Sequence, residues 1–235
     1  MSEFKCKFVS VAIDGPSGAG KSSLAKNLAA KLGFLYLDTG ALYRTIGLYA
    51  YESGVNGDES EKIKALILNS RPEIEAVYID GVQKTFLNGR DVSEEIRRNF
   101  MSKYASDVSK IPEVREFLLD IQRKSAENNN IIMDGRDIGT VILPNADVKI
   151  FLTSSPEERA RRRCEELNLK GQAADYAQIL SEINERDRQD SGREAAPLKP
   201  ADDAVILDNS DCESPDESLG RAVKIVKEML PDAFV

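Results

Sequence analysis

Ile13-Asp14-Gly15-Pro16-Ser17-Gly18-Ala19-Gly20-Lys21-Ser22 is the stretch whose reading decides the fold. Upstream, Phe8–Ile13 (FVSVAI) is a short β-branched apolar run that reads as a strand. Downstream, Leu24, Leu28 and Leu32 recur at i, i+4 and i+8, which predicts a helix from Lys21 to Leu32 with Gly33 as its stop. Gly15–Ser22 fits the pattern G-x-x-x-x-G-K-[ST] in the strand-to-helix context that the pattern requires. Glycines let backbone N–H groups converge on phosphate oxygens, and a helix N-terminus adds partial positive charge. Gly15, Pro16, Ser17, Gly18, Ala19, Gly20, Lys21, Ser22 and Ser23 are therefore the residues expected to bind a nucleoside triphosphate. Lys21 would reach the β- and γ-phosphates, and the Ser22 hydroxyl would hold Mg²⁺.

Beyond the loop, Phe34–Leu37 reads as a second strand, and Asp38-Thr39-Gly40 turns into a helix reaching Gly54. Strand–helix alternation implies a parallel sheet with helices on its faces. The rhythm breaks after a short helix, Glu59–Ser70. Glu73–Ile79, Val82–Leu87 and Arg90–Val92 follow as strands separated by Asp80-Gly81 and Asn88-Gly89, two hairpin signals. Ser93 is placed to cap a helix with Glu94 and Glu95 in its first turn, and Pro112 to open one running to about Asn128. Parallel strands resume at Ile131–Asp134 and Val148–Leu152, with a last one at Ala204–Leu207. Ser155-Pro156-Glu157-Glu158 and Ser214-Pro215-Asp216-Glu217 are capping boxes, and Asp175–Arg188 is a polar helix between them. The expected division is a core of residues 1–58 and 130–235 with a lid at about 156–193, and an inserted subdomain at 59–129.

The 235 residues carry a formal charge of −8, with 41% apolar and 31% charged residues, which describes a folded protein with ample core. No apolar run approaches a membrane span, and Met1–Cys6 has neither a secretory pattern nor the glycine after Met1 that myristoylation needs. Three scattered cysteines, Cys6, Cys164 and Cys212, suggest neither a disulfide framework nor a zinc site, so a cytoplasmic location is expected. With no histidine, the chain excludes a Ser-His-Asp triad, a Cys-His pair and a His-ligated metal. Overall acidity weighs against non-specific nucleic-acid binding.

Other chemistry-bearing residues follow from position. Asp134 ends an apolar strand, where an acid would meet Mg²⁺ through water, although a turn-capping Asp is the alternative. Gly135-Arg136-Asp137 continues from it at a strand's carboxyl end, where ligands of open α/β sheets gather. Arg159, Arg161, Arg162 and Arg163 crowd one helix, and Arg186, Arg188 and Arg193 flank the next loop. They read either as a lid over a transferred phosphoryl group or as a solvated face paired with Glu157, Glu158, Glu165 and Glu166. A phosphomonoester acceptor needs no general base, since its second pKa is about 6, which suits a chain without histidine. An alcohol acceptor would want a carboxylate such as Asp38 or Asp137.

Taken together, IDGPSGAGKS (Ile13–Ser22), LDTGALYR (Leu37–Arg44), PEVRE (Pro112–Glu116), DGRDIGTVI (Asp134–Ile142), KIFLTSSPEERARRR (Lys149–Arg163) and ERD…DSGR…APL (Glu185–Leu198) resemble the bacterial-type cytidylate kinases, from about Phe8 to Leu230. The resemblance implies a P-loop fold with an inserted subdomain and an Arg-rich lid, and transfer of phosphate from ATP with Mg²⁺ to CMP and dCMP. It implies Thr39, Tyr43 and Arg44 near the acceptor phosphate, Arg136 and Arg193 gripping it, and Ser106, Arg115 and Asp137 reading the cytosine edge. Arg186 and Asp190 would hold the sugar. Lys21, Arg136, Arg159, Arg186 and Arg193 would be the catalytic cations, and Ser22 and Asp134 the metal-site residues. A monomer that binds neither membrane nor nucleic acid is expected. Ser22-Ser23 stands where some members have Gly-Thr, and Thr39 where serine is common. Two other readings stay open: a small P-loop kinase for another monophosphate or metabolite, and a non-catalytic nucleotide- or RNA-binding module.

Overall fold

The computed structural model describes residues 8–79, 82–194 and 196–231. Ser2, Cys6 and the Asp80-Gly81 turn lie outside them. In chain order the elements are β1 (Ser10–Asp14), α1 (Lys21–Leu32), β2 (Leu35–Asp38), α2 (Thr39–Glu52), α3 (Ser60–Ser70), β3 (Ile74–Ile79), β4 (Val82–Leu87), β5 (Arg90–Asp91), α4 (Met101–Val108), α5 (Pro112–Glu127), β6 (Ile131–Gly135), β7 (Val148–Thr153), α6 (Pro156–Leu169), α7 (Tyr176–Ser191), β8 (Val205–Asp208) and α8 (Pro215–Met229). The chain divides into two compact units, one of residues 1–8 and 35–131 and one of residues 9–34 and 132–235.

In the second unit the strands lie in the order β6-β1-β7-β8. β1 and β7 are parallel with Ile13 opposite Ile150, and β7 and β8 are parallel with Leu152 opposite Leu207. Val11, Ile13, Ile132, Met133, Ile150 and Leu152 are buried along these strands, and Leu24 and Leu28 of α1 and Ala222 and Val226 of α8 are buried too. Near-continuous apolar strands are what a sheet covered on both faces demands. Each fully buried Ile or Leu contributes about 1.5–3 kcal/mol. This is the expected parallel sheet flanked by helices. Its C-terminal edge carries the phosphate loop after β1, Asp134 near the end of β6 and Ser155 just after β7.

The first unit holds the antiparallel meander β3-β4-β5, with Val77 opposite Lys84 and Phe86 opposite Asp91. Asn88 and Gly89 both have positive φ, 49° and 78°, as a two-residue hairpin turn of the favoured hand requires. Leu42, Ile46, Ile63, Ile96, Met101, Val108, Val114 and Leu118 form its core.

Ser93 departs from expectation. Its hydroxyl donates to Asp91 Oδ1 and accepts from the Thr85 N–H, so it braces the meander and caps nothing. Glu95–Arg97 forms only a 3-10 turn, and α4 begins at Met101 rather than at Glu94. A second departure is a π-helical turn, Ile138–Ile142, directly after β6.

Candidate active site

The phosphate loop is built by exclusion. A Cβ on Gly15 (φ 149°) would lie 1.9 Å from the Leu152 carbonyl oxygen of β7, so no side chain fits there. Gly20 (φ 88°) is the left-handed residue that opens α1. Lys21, the first helical residue, is buried, and its ammonium donates to the Pro16 carbonyl at 2.7 Å, curling over its own loop. Burial and the Arg136 guanidinium push its pKa well below the usual lysine value, against Asp134, Asp14 and Asp190. The negative charge of an incoming phosphate would favour the charged ammonium against both pressures.

Ser22 and Asp134 come together from 112 residues apart. The Ser22 hydroxyl donates to Asp134 Oδ2 at 2.8 Å. Both are hard oxygen donors, and no cluster of three acids, cysteines or histidines that could hold a metal occurs among the described residues. Mg²⁺ in phosphotransfer sites is held by one or two protein oxygens plus phosphates and water, so this pair fits it. Ser23 is exposed beside them.

Three guanidiniums surround one carboxylate. Asp190 on α7 is 1% exposed and accepts from Arg136 Nε at 2.8 Å and from Arg193 Nη2. Burial opposes its charge, yet Arg136, Arg193 and Arg186 together hold its carboxyl below the ordinary value. Arg186 stands one turn earlier on α7, and its buried Nε has no hydrogen-bond partner. Burial lowers its pKa, and repulsion from Arg136 and Arg193 adds to that effect. Three guanidiniums around one carboxylate leave a surplus of positive charge that an anion would offset.

Asp137 follows Arg136 into the π turn and is buried. Beneath that turn lies Asp14, the last residue of β1. Its Oδ1 accepts from the Ile138 N–H and its Oδ2 from the Gly139 N–H, both at 2.7 Å. Burial, with Asp137 adding, raises its pKa to about 6 despite the two amides and Lys21.

The arginines of α6 divide. Arg159 is 3% exposed; it donates to the Ser154 and Ser17 carbonyls, each at 3.0 Å, and makes a two-pronged pair with Asp187 of α7. Arg162 donates to Glu158 and to the Asn209 carbonyl, and Asn209 Nδ2 in turn donates to the Ala19 carbonyl of the phosphate loop at 3.0 Å. Arg161 and Arg163 are exposed and paired with Glu158, Glu165 and Glu166. Two arginines thus brace the loop and two form a solvated face.

In the first unit, Thr39 is buried at the start of α2. Asp38 caps that helix through the Ala41 N–H at 2.9 Å and accepts from Arg44 at 2.7 Å, while its own N–H donates to Gln83 Oε1 at 2.7 Å. The Arg115 guanidinium lies 5.8 Å from the Tyr43 ring centroid and donates to the Ser109 carbonyl. Ser109 Oγ donates to the Ser106 carbonyl, which places Ser106 nearby. Asp14, Asp187 and Asn209 had no signal beyond an acid or amide beside a motif; their partners lie 28 to 190 residues away.

Comparison with known proteins bears on the family. The family model for cytidylate kinase matches residues 11–228. A cytidylate kinase from Caldicellulosiruptor saccharolyticus is 51% identical over 204 residues, covering 87% of this chain and 89% of its own. One from Caldanaerobacter subterraneus subsp. tengcongensis is 51% identical over 203 residues, covering 86% and 88%. A gluconokinase from Sinorhizobium meliloti 1021 shares the fold alone, with a TM-score of 0.50, 13% identity and 97% coverage of both chains. A match across nearly the whole chain, joined to half-identical relatives, leaves one conclusion: the chain belongs to the cytidylate kinase family.

Proposed function

We propose that this protein transfers the terminal phosphoryl group of ATP to CMP and dCMP. Beside membership of the family, the observation that carries this is the cluster of Arg136, Arg186 and Arg193 around Asp190, in the same unit as the phosphate loop and in a chain without histidine. A phosphate oxygen of the acceptor attacks the γ-phosphorus. The bond to the β–γ bridging oxygen breaks, and ADP leaves with the electron pair. The acceptor is mostly dianionic at neutral pH, so no side chain has to remove a proton. Catalysis is then positioning and charge neutralisation. Lys21 turns from the Pro16 carbonyl to the phosphates, and the guanidiniums take up charge on the transferred group. Ser22 and Asp134 would hold Mg²⁺, which supplies charge neutralisation at the phosphates when bound. Arg159, tied to Ser17 and Asp187, acts in this reading by holding the loop.

Acceptor recognition is assigned residue by residue. Arg136 and Arg193 bind the phosphate of CMP, Arg186 and Asp190 its sugar, and the Asp137 carboxylate accepts from the exocyclic amine that uracil lacks. Thr39, Tyr43, Arg44, Ser106 and Arg115 carry the roles that the family resemblance implies, and each is tested by its own alanine variant.

An ADP-release screen of the common monophosphates with ATP and Mg²⁺ tests the reading. Turnover with CMP and dCMP well above UMP and AMP is expected; a preference for AMP or UMP overturns it. Asp137→Ala should damage CMP turnover far more than ATP binding. A cytoplasmic monomer without nucleic-acid affinity completes the reading. Among the described residues Cys164 and Cys212 are free thiols, no helix is long and apolar enough to cross a membrane, and Arg161 and Arg163 are paired with acids of their own helix.

A further inference from the structure

We propose that Asp14 is a positioning residue: its carboxylate clamps the Arg136–Asp137 turn to the end of β1 and thereby fixes the acceptor-binding groups against the phosphate loop. The inference rests on the reading of Arg136 and Asp137 as acceptor contacts.

The geometry is specific. Asp14 immediately precedes Gly15, so its backbone is already set by the loop that takes the triphosphate. Its two oxygens are each occupied by one of two successive amides, Ile138 and Gly139, at 2.7 Å. Those amides open the π turn, whose later N–H groups bond back to Asp137 and Ile138, so the first donors need an outside acceptor. A side chain from another strand supplies it. With both oxygens engaged and only 4% exposure, Asp14 is not placed to act as a base.

The same turn is gripped from β7. A Cβ on Gly139 would stand 3.1 Å from Lys149 Cδ and 3.4 Å from Asp14 Oδ2. The Lys149 ammonium is fixed by the Pro144 carbonyl at 2.6 Å and by Asp203 at 2.8 Å, so its stem is a wall. Held between β1 and β7, the turn has one place to sit, and Arg136 leaves it toward Asp190. The raised pKa of Asp14 agrees, since a buried carboxylate is retained here at some expense of stability.

The test compares wild type with Asp14→Asn in steady-state kinetics. An amide accepts one N–H but opposes the other with its NH₂. The KM for CMP should rise about tenfold or more, while the KM for ATP stays within about twofold. A folded Asp14→Asn enzyme with an unchanged KM for CMP overturns the inference. So does an equal rise in both KM values, which would mark general damage to the loop. If Asp14→Asn does not fold, Gly139→Ala presses on the same turn and must give the same one-sided pattern; an unchanged KM for CMP there overturns it equally. If wild type does not turn over CMP at all, the acceptor reading fails. The clamp is then read by amide hydrogen exchange at Ile138 and Gly139, where faster exchange in Asp14→Asn upholds it and unchanged exchange overturns it.

Discussion

Gly15 and Asp14 are neighbours with opposite kinds of necessity. Gly15 is fixed by the absence of space: its α-carbon faces the Leu152 carbonyl so closely that Gly15→Ala should lose more than about 3 kcal/mol of stability or lose ATP binding. Denaturant titration and ATP titration of that variant check it. Asp14 is fixed by what it holds, and it titrates in a usable range. Its folded pKa of about 6 lies above the ordinary 3.8, so folding disfavours the ionised form. Its contribution to stability is full below pH 3.8, fades as pH rises through 6, and amounts to about 3 kcal/mol at most. Asp14→Asn should therefore flatten the stability–pH curve between pH 4 and 7, measured by urea unfolding relative to wild type.

At the scale of elements, what could be read ahead was local. Gly33 ends α1 with φ 70°, Asp38 caps α2, and Ser155 caps α6 through the Glu158 N–H at 3.1 Å; each signal lies within four residues of what it controls. Ser155→Ala should lower stability by about 1 kcal/mol, seen as a shift of about 2–4 °C in Tm. Catalytic loss beyond that shift would mean that the cap also steadies Arg159, one turn on. What escaped was long-range. Ser93 looks like a cap, but Thr85 and Asp91 across the hairpin take its hydroxyl. The π turn at Ile138–Ile142 has no period in the sequence, because a carboxylate 124 residues upstream sustains it. Nor did the arginine run of α6 disclose which of its members face inward. Arg159 and Arg162 are claimed by the carbonyls of Ser17 and Asn209, contacts invisible until β7, β8 and the loop are assembled.

For the molecule as a whole, the balance of charge says how ligands should act. A chain of net charge −8 keeps three arginines around one acid near a buried lysine, so the local field opposes the global one. ATP should raise the apparent stability by about 2.7 kcal/mol at a hundredfold excess over its Kd. Lys21→Met should lose most of that gain and lower turnover by about a hundredfold or more; thermal melts with and without ATP, alongside the ADP-release assay, check both. The α6–α7 hairpin, finally, is moored at one end only. Its N-terminal half is lashed to the phosphate loop, by Arg159 directly and by Arg162 through Asn209, whereas Asn168 to Ala173 stands in water, with Lys170 followed by Gly171 at a φ of 69°. Trypsin should therefore nick the second unit first after Lys170, and mass spectrometry of a brief digest should find the two halves still travelling together, bound by Arg159 and Asp187.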